Sequence, residues 1–203
     1  MVVVAQPIDT RPARFLTWFA LIVVLATDVA YLLVIRAQNV EDAPAASIVP
    51  FIAAYLVVIA ALLAASLMRW FSPAVRLPLR AGAAGGLLVL GVLALFSIGL
   101  PLVVAGAMAT GATVRTLRGP LVTSSSLWSV GAAVIAVVVL ITGFEVTERM
   151  IVCPVHGYSG GGGTGFVTGP YYYDCIDGRL SFHSGSCATT SVDANGNVSH
   201  PGC

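Results

Sequence analysis

The sequence predicts an all-α membrane protein: four transmembrane helices followed by a small Gly- and Cys-rich tail that is partly β-hairpin. Three observations lead there. Of the 203 residues, 58% are hydrophobic and 9% charged, against roughly 25% charged in a soluble domain. The apolar residues gather in runs of the length a bilayer requires. All four cysteines lie beyond residue 150, in a stretch of different composition. A water-soluble fold could not hide so much apolar surface, and lipid as solvent removes the conflict. The net charge of +1 leaves no footprint for nucleic acid. All basic residues are arginine, the bias of a high-GC genome, which points to a bacterial plasma membrane.

Residues 1–14 form a polar-flanked N-terminal tail, and 15–149 the membrane domain. The first span, about 15–35, is longer than a signal-peptide core, lacks a small-x-small cleavage site and leads into further spans, so it reads as retained. The second covers about 48–68, with Pro50 in its first turn, where a missing N–H costs little. RWFSPAVRLPLR at 69–80 reads as a basic loop. The third span covers about 82–108, with Pro101 as a kink, because its ring removes a backbone hydrogen bond. Dividing this run in two leaves halves too short to cross and a hairpin with unpaired backbone groups in lipid. Residues 109–126 read as a loop, and 127–144 as the fourth span. Apolar residues surround each span on all faces, as lipid-facing helices require. Trp18, Trp70 and Trp128 fall near span ends, where an indole belongs. Gly82 and Gly86 make a Gly-xxx-Gly pair, and Ala132 and Ala136 a second small pair. Such pairs let helix backbones approach, and packing inside the bundle is preferred over a dimer contact.

The tail, 150–203, changes character. GYSGGGGTGFVTG reads as a flexible linker, since glycine loses much backbone entropy in a helix. It lacks the Lys-Ser/Thr and the strand-then-helix frame of a phosphate cradle. Asp-Gly and Asn-Gly further on favour tight turns, so 171–203 reads as a small hairpin module that needs a staple. Tyr171, Tyr172 and Tyr173 supply a contact surface, the tail's own apolar face, or an interface anchor.

Cys153, Cys175, Cys187 and Cys203 are even in number and confined to this turn-rich segment, the pattern of disulfides in an oxidising compartment. Four cysteines allow three pairings, among which sequence does not choose. The alternative is zinc: Cys153 with His156, and His200 with Cys203, each pair three apart, could form a Cys2His2 site. The usual Cys-x2-Cys knuckle is missing and the pairs are far apart. Otherwise no cofactor is implied.

The arginines and the cysteines disagree about side. With four spans both termini share one side. Arg11, Arg14, Arg69, Arg76, Arg80 and Arg149 lie there, against Arg36, Arg115 and Arg118 opposite. Positive charge stays in the cytoplasm, where thiols are kept reduced. The strict confinement of cysteine to the tail tips the choice to an extracytoplasmic tail.

Asp28 is the one ionisable residue deep inside a predicted span, and a carboxylate in lipid is costly. Tyr31, one turn on, shares its face and could hydrogen-bond it. No catalytic set emerges. The serines at 124–126 lack a base, no nucleophile elbow accompanies His156, His183 and His200, and there is no Cys-x-x-Cys. The expectation is therefore a multi-pass, non-enzymatic accessory or assembly component. Its stapled tail contacts a partner, such as another membrane protein. The alternatives are an oligomeric transport or channel component using Asp28, and a membrane-anchored zinc-binding sensor tail.

Overall fold

The computed structural model describes residues 11–37, 48–117, 123–153, 155–185, 191–192 and 198–199. Among the described residues five helices, not four, are long and apolar enough to cross a membrane. They are α1 (Arg11–Ala37), α2 (Ile48–Leu67), α3 (Pro73–Leu93), α4 (Leu100–Leu117) and α5 (Thr123–Glu148). Three strands follow, β1 (Tyr158–Gly165), β2 (Gly169–Ile176) and β3 (Arg179–Ser184), in one antiparallel meander. Two short strands, β4 (Ser191–Val192) and β5 (Val198–Ser199), pair with each other. The chain divides into two compact units, Met1–Val40 with Pro50–Leu140, and Glu41–Val49 with Ile141–Cys203.

The single kinked span expected over 82–108 is two antiparallel helices. A straight helix would put Gly91 and Val103 about 18 Å apart. Instead a Cβ on Gly91 would stand 2.8 Å from Val103 Cγ2. Further along, a Cβ on Gly106 would stand 2.9 Å from Leu88 Cγ. Both halves are long enough because the flanking segments are helical too. α3 starts at Pro73, inside the expected basic loop, and α4 runs to Leu117, inside the expected second loop. Proline suits a first helical position, where its missing N–H has no partner to lose. The amides of Val75 and Arg76 both bond the Ser72 carbonyl at 3.0 and 3.2 Å.

The reversal between α3 and α4, Leu95–Gly99, is one π-helical turn. Part of the backbone that a hairpin would leave unpaired is bonded within the turn. The Ala94 carbonyl accepts from the amides of Ser97 (2.9 Å) and Gly99 (2.8 Å) and from the Ser97 hydroxyl (3.1 Å). A Cβ on Gly99 would collide with the Gly91 carbonyl, so the tight crossing needs glycine there. Pro101 lies in the first turn of α4 and kinks nothing.

Neighbouring helices alternate in direction. Tyr55 and Ile59 of α2 meet Gly86 of α3, while Ser66 meets Arg80, which makes α2 and α3 antiparallel. Gly82 and Gly85 lie against Ala132 and Ala133, which makes α3 and α5 parallel. Small residues at these contacts let the helix backbones approach closely. Threonine hydroxyls inside the bundle are satisfied locally. Thr17, Thr113 and Thr116 each donate to the carbonyl four residues back at 2.8–2.9 Å.

Candidate functional site

Two places hold groups that could act: the buried polar residues of the helices and the sheet that follows α5. Asp28 lies on the buried stripe of α1, the helix face that packs on α4. It is 7% exposed, and its Oδ1 has no hydrogen-bond partner among the described residues, the Tyr31 phenol included. The sequence reading placed no basic residue in another span. Arg80 is one: it lies in α3, is 1% exposed, and its Nε donates to Ser66 Oγ at 3.4 Å. It was missed because α3 begins earlier than expected.

The Gly82/Gly86 pair works inside the bundle. Gly82 accommodates Ala132 of α5, with 3.3 Å between a built Cβ and its carbonyl oxygen. Gly86 makes room for Tyr55 of α2, whose hydroxyl a Cβ would strike. That hydroxyl donates to the Ala136 carbonyl of α5 at 3.0 Å. Tyr55 therefore ties three helices through one hydrogen bond. A tyrosine midway along an apolar run was the available signal, since a buried phenol needs a partner.

In the second unit the Gly-rich segment read as a linker is strand β1. Register explains it. Gly161 and Gly163 pair with Tyr173 and Tyr171, and each ring folds across its glycine, with 2.7 Å from a built Cβ to the phenol oxygen. The rings cover backbone that glycine leaves bare, and any side chain there would displace them. The Asp-Gly turn forms as expected, with Asp177 at φ 47° and Gly178 at φ 77°. The Asn-Gly dipeptide at 195–196 lies outside the described residues.

The tyrosines divide between faces because side chains alternate along a strand. Tyr171, Tyr173 and Cys175 share one face with Phe182, and Tyr171 stacks on Phe182 at 5.2 Å. Burial pushes the Tyr171 phenol above its ordinary pKa, and the nearby charge of Glu148 adds to this. On the other face Tyr172 stacks on His183, with centroids 4.6 Å apart and planes 9° apart. Ser181 Oγ lies 2.7 Å from His183 Nε2, and both residues are exposed.

Three ties hold this sheet to the end of α5. Cys153 and Cys175 are joined by a disulfide, with S–S 2.03 Å and Cα–Cα 5.4 Å. The Glu145 carboxylate accepts from the Val167 amide (2.6 Å) and the Thr168 hydroxyl (2.9 Å) of the β1–β2 turn. Phe166 of that turn lies 6.4 Å from Phe144 by centroid. It is this turn, with exposed Phe166 and Val167, that stands beside the helix end.

Of the four cysteine candidates, Cys153 and Cys175 are thus brought together. Cys187 and Cys203 lie outside the described residues, as does His200. Of the zinc set, Cys153 is engaged by sulfur and His156 is exposed. No group of three or more His, Cys, Asp or Glu that could hold a metal occurs among the described residues. Comparison with family models, curated proteins and solved structures finds no match to this chain.

Proposed function

We propose that this chain is a five-span bacterial plasma-membrane protein with its N-terminus in the cytoplasm and its disulfide-tied sheet outside. It serves as a non-enzymatic accessory or assembly component, and the sheet is its contact surface. The observation that carries the orientation is the reversal at Leu95–Gly99, which makes the number of crossings odd. The termini then lie on opposite sides, not on one side as four spans require. Arg11, Arg14, Arg69, Arg76, Arg80, Arg115 and Arg118 gather on the N-terminal side, against Arg36 and Arg149 near spans on the other. Positive charge then marks the cytoplasm, and the Cys153–Cys175 bond falls in the oxidising compartment. The five-span count removes the disagreement between arginine and cysteine. Tyr172, half-buried, and the exposed His183 offer the partner a flat aromatic pair. Isolation of the protein in mild detergent is expected to bring a membrane partner with it, and a paired Tyr172→Ala, His183→Ala change to release that partner. A lone monomer with the unaltered sequence overturns the assembly reading.

One observation favours a second reading, in which the chain is part of an oligomeric transporter or channel. Asp28 Oδ1 is buried without a hydrogen-bond partner among the described residues, and intramembrane carboxylates commonly carry protons or cations. Asp28→Asn would then abolish ion or proton flux in reconstituted vesicles, while an unchanged flux rules this out.

A further inference from the structure

The helices α2, α3 and α5 enclose an open groove of about 460 Å³. Its lining includes Phe51, Val58, Leu62, Leu79, Ile135 and Val139. The one side-chain polar atom nearby, the Tyr55 hydroxyl, is already bonded to the Ala136 carbonyl. Nothing in the lining can recognise a polar ligand. Val58, Ile135 and Val139 are more than half exposed, so the groove opens sideways from the helices. From Phe51 to Leu62 along α2 it is about 16 Å long at the ordinary helical rise. That shape suits a flexible hydrocarbon chain lying along the helices.

Two arginines lie in the chain just beyond one end of the groove. Leu62, Pro78 and Leu79 line the end nearest the α2–α3 connection. Arg69 stands in that connection and is exposed. Arg76 lies in the first turn of α3, and its Nε donates to the Phe71 carbonyl at 2.9 Å. Trp70, between them in the chain, is almost fully exposed, as an indole at a headgroup boundary is. Basic groups at the end of an apolar cleft between membrane helices are the pattern that holds anionic lipid headgroups.

We infer that this groove binds one acyl chain of an anionic phospholipid, whose phosphate meets the guanidinium groups of Arg69 and Arg76. The hydrocarbon fills the space among the three helices that no side chain occupies. The charge pairing fixes which end the headgroup takes. The site is independent of the proposed orientation and of the tail.

The test uses the full chain purified in mild detergent, with retained lipid counted by native mass spectrometry. One phosphatidylglycerol-class lipid per chain is expected. Ala54→Phe and, separately, Val58→Phe fill the groove from exposed positions and should abolish retention while the melting temperature holds. Arg69→Gln and Arg76→Gln should each weaken rebinding from phosphatidylglycerol vesicles by about fivefold and leave binding from phosphatidylcholine vesicles unchanged. Undiminished retention in both groove-filling variants overturns the proposal. So does equal preference for the two vesicle types. A dimer mass that disappears in the filled variants, with no lipid bound, would assign the groove to a second copy of the chain instead.

Discussion

Tyr55 shows how much one polar atom can organise in an apolar bundle. Its hydroxyl reaches Ala136 across the space that Gly86 leaves open. The two positions should therefore behave as one unit. Gly86→Ala drives a methyl into the hydroxyl and is expected to cost about 1–3 kcal/mol. Tyr55→Phe removes the hydrogen bond and should cost about 1 kcal/mol. The double variant should cost clearly less than the two together, because the colliding oxygen is gone. Thermal unfolding of the four proteins in one detergent measures the cycle. Strict additivity would mean that the glycine serves some other contact. Asp28 is the opposite case: its Oδ1 is buried with no hydrogen-bond partner among the described residues. Its depth and burial were readable from the sequence, because a lone carboxylate in an apolar run stands out. That this oxygen goes unbonded among the described residues was not readable, since helical spacing brings Tyr31 to the same face without a hydrogen bond to Oδ1.

The division of 82–108 into two helices is where the sequence misleads, and the cause is physical. LFSIGLP at the reversal holds one serine among apolar residues. Hydropathy therefore runs through it without a break, and a turn that satisfies its own carbonyl needs no polar side chains to mark it. The readable signs were elsewhere. Ser72-Pro73 is a helix start, and the glycines at 91, 99 and 106 are all sites of close crossing. A single cysteine replacing exposed Ser97, in a chain lacking Cys187 and Cys203, distinguishes the two arrangements. It should react with a membrane-impermeant maleimide on intact cells. A residue in the middle of one kinked span would not react from either side. Strand β1 was misread for a related reason. Glycine signals freedom only while nothing packs on it, and the rings that pack on Gly161 and Gly163 come from the next strand. The disulfide was legible as chemistry but not as connectivity. Cys153→Ser should loosen the sheet by about 2–4 kcal/mol, read as faster amide exchange in β2 and faster proteolysis beyond Met150. Unchanged protection there would leave Glu145 and the β1–β2 turn as the dominant tie.

For the molecule as a whole, crossing number governs what lies where. With an odd number, Trp18, Trp70 and Trp128 all fall at the end of the bundle that carries most of the arginines. All three are exposed, as a girdle of indoles at one headgroup layer would be. Under an even number the third would stand alone on the far side. Intact cells treated with the impermeant maleimide should leave the Cys153–Cys175 pair unlabelled until a reductant is added. A cysteine placed at exposed Ser72 should stay silent until the membrane is opened. Labelling of Ser72→Cys from outside would reverse the proposed orientation. The bond between Cys153 and Cys175 also has a use beyond holding the sheet. Its two sulfurs follow α5, so in the proposed orientation oxidation there waits until that helix has delivered the tail. In that orientation the bond would be a time stamp written on each molecule at the end of insertion. Chains threaded backwards, or stalled one helix short, would never carry it. The oxidised fraction on a non-reducing gel therefore serves as a census of correctly delivered molecules, taken without any probe.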